Sequence, residues 1–250
     1  MNLSPALLYK ASIGGAKKEF IYGPRLDNLL SSYTCLIAMI KSCKTLADDE
    51  CCRVITLFDH EEIGSRSAQG ADSALPGYIL KRIINSIEGS ENVDPCAYET
   101  AIPRSFCVSA DMAHAIHPNY TEKHEERFPL SLTGGPAIKF NTNQRYATNS
   151  QTASLLRLIA EEAGVPLQEI CNRNDIPCGS TIGPITSGGL AIPTVDIGAP
   201  QWSMHSIREM CHVRCVKQCE DLFTHFFDTF GKYQSGDNYE EGFATTNNSV

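Results

Sequence analysis

From Leu26 the apolar positions Leu26, Leu29, Leu30, Tyr33, Ile37 and Ile40 recur at helical spacing, with Pro24 just upstream as a start signal, so the pattern predicts a buried amphipathic helix. The period then changes. Residues 52–58 (CRVITLF) form an apolar, β-branched run that predicts a buried strand ending in Asp59, His60, Glu61 and Glu62, followed by Gly64. A second helix, entered at Pro76, carries Leu80, Ile83, Ile84 and Ile87, and residues 105–111 (SFCVSAD) give another apolar strand running into an aspartate. Further along, the pattern predicts a helix from about Ser150 to Ala163 closed by Gly164, a short strand from Pro193 to Ile197, and a long helix from about Ser206. That last helix carries Ile207, Met210, Cys211, Val213, Leu222, Phe223 and Phe226, and its stretch from Phe223 to Phe230 reads as core.

Strands alternating with helices predict an α/β fold, a three-layer, mostly parallel sheet with helices on both faces. Such sheets bind ligands outside the carboxyl ends of their strands, where two acidic clusters fall. A chain of 250 residues with 42% hydrophobic residues is enough for one substantial domain. The net charge of −8 leaves no basic surplus for phosphates, which argues against nucleic acid as a partner. No apolar run reaches the length that spans a bilayer, and the opening residues lack a basic n-region, so no membrane association is expected. Eleven cysteines, an odd number scattered through apolar segments, fit reduced thiols and a cytoplasmic home. In that setting the sequons at Asn119 and Asn247 carry no weight. No nucleotide-binding glycine pattern and no internal repeat is present.

The residues that carry chemistry are Asp27, Glu61, Glu62, Asp111 and His205, all at predicted element ends. Carboxylates and an imidazole in that setting suit a pair of divalent ions, with one adjacent glutamate ligating while its neighbour takes a proton from water. The plainer alternative is that Glu61, Glu62 and Asp27 are acids favoured at helix starts. Against it, carboxylates gathered together repel unless a cation or proton intervenes. Cys211, Cys215 and Cys219, four apart, read as core thiols along one helix face, and His117 and His124 as solvated loop histidines. His60 precedes the glutamate pair and is placed to help orient it.

The strings PRLDNL, LFDHEEIGS, SADMAHAIHPNY, NQRYATN, CGSTIGPI and MHSIREM, in this order, resemble the aspartyl aminopeptidase family of two-zinc exopeptidases, from about Ile21 to Lys232. The resemblance implies metal-dependent removal of N-terminal aspartate or glutamate from peptides, by attack of water held at the metals with Glu61 as general base. It implies that Asp27 bridges two divalent ions, expected to be zinc, that Glu62 and His205 ligate one of them, and that Asp111 ligates the other. It also implies that His114, Lys139 and Tyr146 contact substrate, and that the protein forms homo-oligomers. In chemical terms, an ammonium such as that of Lys139 in a partly desolvated pocket would favour an acidic side chain.

Family members carry, upstream of the bridging aspartate, a strand with a His-x-Asp string that completes the first metal site, together with an inserted dimerisation domain. Neither has a counterpart here, so the resemblance covers a C-terminal catalytic portion with only one metal site fully liganded. Residues 1–20 read as a remnant of the connection from the inserted domain, 21–232 as the catalytic part, and 233–250 as a polar tail without regular structure. The alternative function is an inactive truncated form that binds metal weakly or associates with full-length subunits.

Overall fold

In the computed structural model, which describes residues 10–88 and 94–234, the chain begins with β1 (Ser12–Gly14), β2 (Phe20–Gly23) and α1 (Leu26–Ser42). It continues through α2 (Leu75–Glu88), α3 (Ala97–Ala101), β3 (Cys107–His114), β4 (Ala137–Phe140) and α4 (Ser150–Glu162). Then follow β5 (Gln168–Cys171), α5 (Gly183–Leu190), β6 (Thr194–Trp202), β7 (Glu209–His212) and α6 (Arg214–Gln234).

β6 organises the sheet. Its TVDIGAPQW sequence is buried over its first eight residues, as a strand covered on both faces must be. One edge pairs in parallel with the whole of β3, from Cys107↔Thr194 to His114↔Gln201. Residues 197 and 198 also pair with β4, and 201 and 202 with β7, so β4 and β7 share the opposite edge. β5 extends the sheet beyond β4, and the β1–β2 hairpin extends it beyond β7.

Alternation along β6 separates the two faces. Val195, Ile197 and Ala199 enter the main core with Leu30 and Ala38 of α1, Leu156 and Ile159 of α4, and Leu222 and Phe223 of α6. Asp196 points the other way, against Gly183 at the start of α5. Helix α4 begins at a full capping box: the Asn149 side chain accepts from the Thr152 amide, and the Asn149 amide donates to the Thr152 hydroxyl. Gly164, at φ 65°, closes the helix end as the pattern predicts.

Several expectations are corrected. Two of the six strand pairings are parallel and four antiparallel, so the sheet is mixed rather than mostly parallel. Residues 52–58 form no strand and join no ladder among the described residues, and Val54 (39% exposed) and Leu57 (63%) are not buried. The helix expected from Ser206 starts only at Arg214, because Glu209–His212 is recruited as β7 by β2 and β6. Cys211 therefore lies on a strand, and only Cys215 and Cys219 share a helix; all three are buried in the core. Helix α1 buries Leu30, Thr34 and Ala38 while Leu29, Tyr33 and Ile40 of the predicted buried stripe are more than half exposed. Tyr233 and Gln234 complete α6 instead of opening a tail, and residues 235–250 lie outside the described part. No helix among the described residues is long and apolar enough to cross a membrane.

Candidate functional site

Three separate stretches bring acids to one place, and a fourth adds a histidine. Asp27 stands at the start of α1, just after Arg25, whose backbone is left-handed (φ 58°), and the Asp27–Asn28 peptide is cis. Glu61 and Glu62 sit on a single 3-10 turn (Glu61–Ile63). His60, also left-handed, accepts at its carbonyl from the amides of Ile63 and Ser65, which folds the turn that presents both glutamates. Its ring contacts Ser67 at 2.7 Å, so any orienting effect runs through the backbone. Asp111 projects from β3, and His205 from the left-handed turn (φ 65°) between β6 and β7. Non-glycine residues in this conformation cost roughly 1–2 kcal/mol each and persist where surrounding structure enforces them.

His205 Nε2 lies 3.0 Å from Glu62 Oε1 and 3.2 Å from Asp27 Oδ2. One ligand atom from each of the three lies within 4.8 Å of the others, the one such set of three among the described residues. Asp27 also shares a hydrogen bond with Asp111, whose Oδ2 pairs with Lys139 Nζ at 3.1 Å and whose Oδ1 accepts from the Met112 amide. Lys139 is only 3% exposed, so it is no ordinary surface lysine. It reaches Asp111 from β4 by crossing β6 at Gly198, where a Cβ would stand 2.5 Å from the Asp111 carbonyl and 2.7 Å from the lysine Cε. The ring of Tyr146 lies 5.4 Å from the ammonium. His114 ends β3 next to this group, and in the loop that follows the His117 amide donates to the His124 ring at 3.2 Å.

The electrostatics follow from crowding. Burial and the neighbouring carboxylates of Asp111, Glu62 and Glu209 push the Asp27 carboxyl well above the usual range. Burial, Asp111 and Glu62 raise Glu61 to about 7, with Lys139 and His205 opposing. Burial acts upward on Asp111 too, but the Lys139 ammonium and its hydrogen bonds outweigh it and hold that carboxyl low. Burial, with Lys139 and two nearby histidines, His205 and His124, lowers His114.

Two buried acids missed in the sequence build the floor of this site. Glu209, 1% exposed on β7, accepts from the Asp27 amide at 3.0 Å and the His205 amide at 2.7 Å, gripping two clustered residues through one carboxylate. Asp196, fully buried, accepts from Ser109 Oγ, Thr181 Oγ1 and the Ala147 amide, at 2.6–2.7 Å. It ties the YATN and STIGP loops to the sheet. The available signal is an acid inside an otherwise apolar strand, as in TVDIGA. An apolar cleft of about 560 Å³ beside Phe20, Ile116, Trp202 and His212 contains none of these acids.

The family model for the aminopeptidase I zinc metalloproteases (M18) matches residues 1–227. The chain belongs to this family. It is 50% identical over 226 residues to a probable aspartyl aminopeptidase of Ricinus communis, covering 89% of this chain and 45% of that protein. It is 45% identical to the aspartyl aminopeptidase of Caenorhabditis elegans, over 88% of this chain and 46% of that protein. Among solved structures, the cryo-EM structure of the Ape4 and Nbr1 complex matches with a TM-score of 0.87 at 43% identity, covering 94% of this chain and 44% of that one. The mApe1 dodecamer of S. cerevesiae matches with a TM-score of 0.79 at 29% identity, over 93% of this chain and 51% of that one. The M18 chain described here thus spans about half the length of the relatives it matches.

Proposed function

We propose that this M18 chain carries the metal centre of an aminopeptidase that removes N-terminal aspartate or glutamate from peptides. The observation that carries the reading is the convergence of Asp27, Glu62 and His205 within 4.8 Å, with Glu61, raised to about 7, and the Asp111–Lys139 pair beside them. Two carboxylates and one imidazole are a donor set that fits zinc, so these three would hold one ion. Asp27 and Asp111 would hold the second, for which the chain offers only two ligands. Bound there, the ions would supply Lewis acidity and lower the pKa of water.

The chain's own groups do the rest. Glu61, raised to about 7, takes a proton from the attacking water and returns it to the leaving amine. Lys139, buried and already facing a carboxylate, supplies the positive charge that favours an acidic first residue, with His114 and Tyr146 lining the same side. We assign residues 21–232 to the catalytic part and 1–20 to a connection leading into it. Eleven free cysteines, raised in pKa by burial where they lie in the core, suit a reducing cytoplasm. By likeness to the dodecameric relative, homo-oligomers are expected.

The test is hydrolysis of aspartyl, glutamyl and leucyl reporters with zinc added. Glu61→Gln in an active preparation should lower kcat by about 10²–10⁴-fold while bound zinc stays constant. Unchanged turnover would remove Glu61 from this role. A second reading, an inactive chain that acts by associating with full-length subunits, draws on the large apolar side chains exposed along α1. Metal binding without turnover by the purified chain would favour it.

A further inference from the structure

Two loops meet on the Lys139 side of the acid cluster, one from Arg145 to Thr148 and the other from Cys178 to Thr181. They are stitched together closely. The Arg145 carbonyl accepts from Ser180 Oγ at 3.1 Å and from the Thr181 amide at 3.4 Å, while the Ala147 amide and the Thr181 hydroxyl both donate to the Asp196 carboxylate. Thr148 is fixed in turn by its hydroxyl, which accepts from the Asp196 amide at 2.9 Å. Tyr146 lies within this clamp with its side chain engaged elsewhere. Its ring faces the Lys139 ammonium at 5.4 Å, and its phenol hydrogen-bonds with the half-buried Cys178. The Cys178 thiol donates to the Gly179 carbonyl at 3.1 Å, which leaves the sulfur lone pairs to the phenol proton. Burial, the Cys178 hydrogen bond and the nearby carboxylates raise the phenol above its ordinary value of 10, so this donor stays protonated.

A tyrosine ring held only at its backbone end can turn about two side-chain torsions. Here the ring stands 5.4 Å from the ammonium, close to the limit of about 6 Å within which an aromatic face attracts a cation, so a small swing would lose the contact. Asp111 Oδ2 anchors the same ammonium at 3.1 Å, leaving the ring to set how the remaining N–H donors face. We propose that Cys178 is a positioning residue for substrate selection: its sulfur holds the Tyr146 phenol, the ring braces the Lys139 ammonium, and the ammonium is thereby kept where an acidic first side chain meets it. Cys178 acts through Tyr146 and needs no contact of its own with substrate. Sulfur is a weak acceptor, so the worth of the contact lies in orientation more than in strength. The inference rests on the proposed preference for acidic first residues.

The experiment measures calorimetrically the binding of free aspartate and free leucine to the zinc-loaded full chain, a readout that needs no turnover. Cys178→Ala, Tyr146→Phe, the double variant and Cys178→Ser are compared with the unaltered chain. Cys178→Ala and Tyr146→Phe should each weaken aspartate binding by about 3–10-fold, the worth of one hydrogen bond, and leave leucine within about twofold. Because one residue acts through the other, the double variant should bind aspartate no more weakly than Tyr146→Phe alone. Cys178→Ser, which keeps a donor and an acceptor at the same place, should return aspartate binding to within about threefold of the unaltered chain. Losses that multiply in the double variant, an equal loss for leucine, or aspartate binding unchanged in Cys178→Ala would each overturn the proposal while leaving the acidic preference standing. An unaltered chain that does not favour aspartate over leucine would overturn the reading beneath it, and the proposal with it.

Discussion

The floor of the acid cluster and the outer flank of α1 are opposite cases of the same sequence chemistry. Beneath the cluster, acids are buried: Asp196 is fully enclosed and Glu209 is 1% exposed, each accepting hydrogen bonds from more than one donor. On the flank, Leu29, Tyr33, Leu36 and Ile40 stand 50–58% exposed at helical spacing. A buried acid is stable only where donors meet it, and an exposed apolar row is ordinary only when scattered. The floor is therefore a finished scaffold and the flank an unfinished one, although both derive from residues in strong local patterns.

The largest effect should come from the floor. Asp196→Ala leaves two hydroxyls and an amide without their acceptor, at about 1–3 kcal/mol for each buried group left unpaired, so urea denaturation should show a loss of roughly 3–5 kcal/mol. A change below about 1 kcal/mol would mean that the YATN and STIGP loops are held by something else. Glu209→Ala should act on function more than on the fold: zinc affinity at the Asp27 site should fall about 10–100-fold in calorimetric titration. Unaltered affinity would show that Asp27 and His205 hold their positions without it.

The cluster's charge predicts a pH dependence with a definite sign. Asp27 and Glu61 are raised above their ordinary values of 3.8 and 4.5, Glu61 to about 7, so the metal-free folded chain keeps protons that the unfolded chain has released. Their contribution is fully present below about pH 4 and is lost as pH rises through the raised values. Zinc must displace those protons, so its stabilising effect should grow between about pH 5 and pH 8, with proton release seen as a buffer-dependent binding enthalpy. Stabilisation that is flat with pH would contradict the crowding described. The smallest effect belongs to the flank: Leu29→Ala should change stability by no more than about 0.5 kcal/mol, whereas Leu30→Ala, one position along and 6% exposed, should cost about 2–4 kcal/mol. Equal losses would mean that the flank is covered in solution.

Much of this was legible in the sequence. The strings around Asp27, Glu61, Asp111 and His205 pointed to one centre, and three of those stretches meet at His205. Helices α1, α2 and α4 and strand β3 followed from periodicity and their end signals. What was not legible depends on distant partners. β1, β2, β4, β5 and β7 are three or four residues long, too short for alternation to register, and each exists only through its neighbours. Met210 and Cys211 fit a helical stripe equally well, and it is pairing with Ile21 and Tyr22 that makes them a strand. In α5 the sequence GPITSGGL has too many glycines for a confident helix reading. Residues 52–58 show the reverse: a strand-like sequence that joins no ladder among the described residues.

The pairing of β3 with β6 joins residues 87 positions apart, as the Ser109–Asp196 hydrogen bond across it records. At a synthesis rate of about 5–20 residues per second, β3 leaves the ribosome roughly 4–17 s before its partner. Through that interval an apolar strand waits without its partner, and closing so long a loop costs entropy before the pairing repays it. The central ladder therefore forms only once β6 has emerged, and the nascent chain needs shielding while its future centre is still an exposed rim.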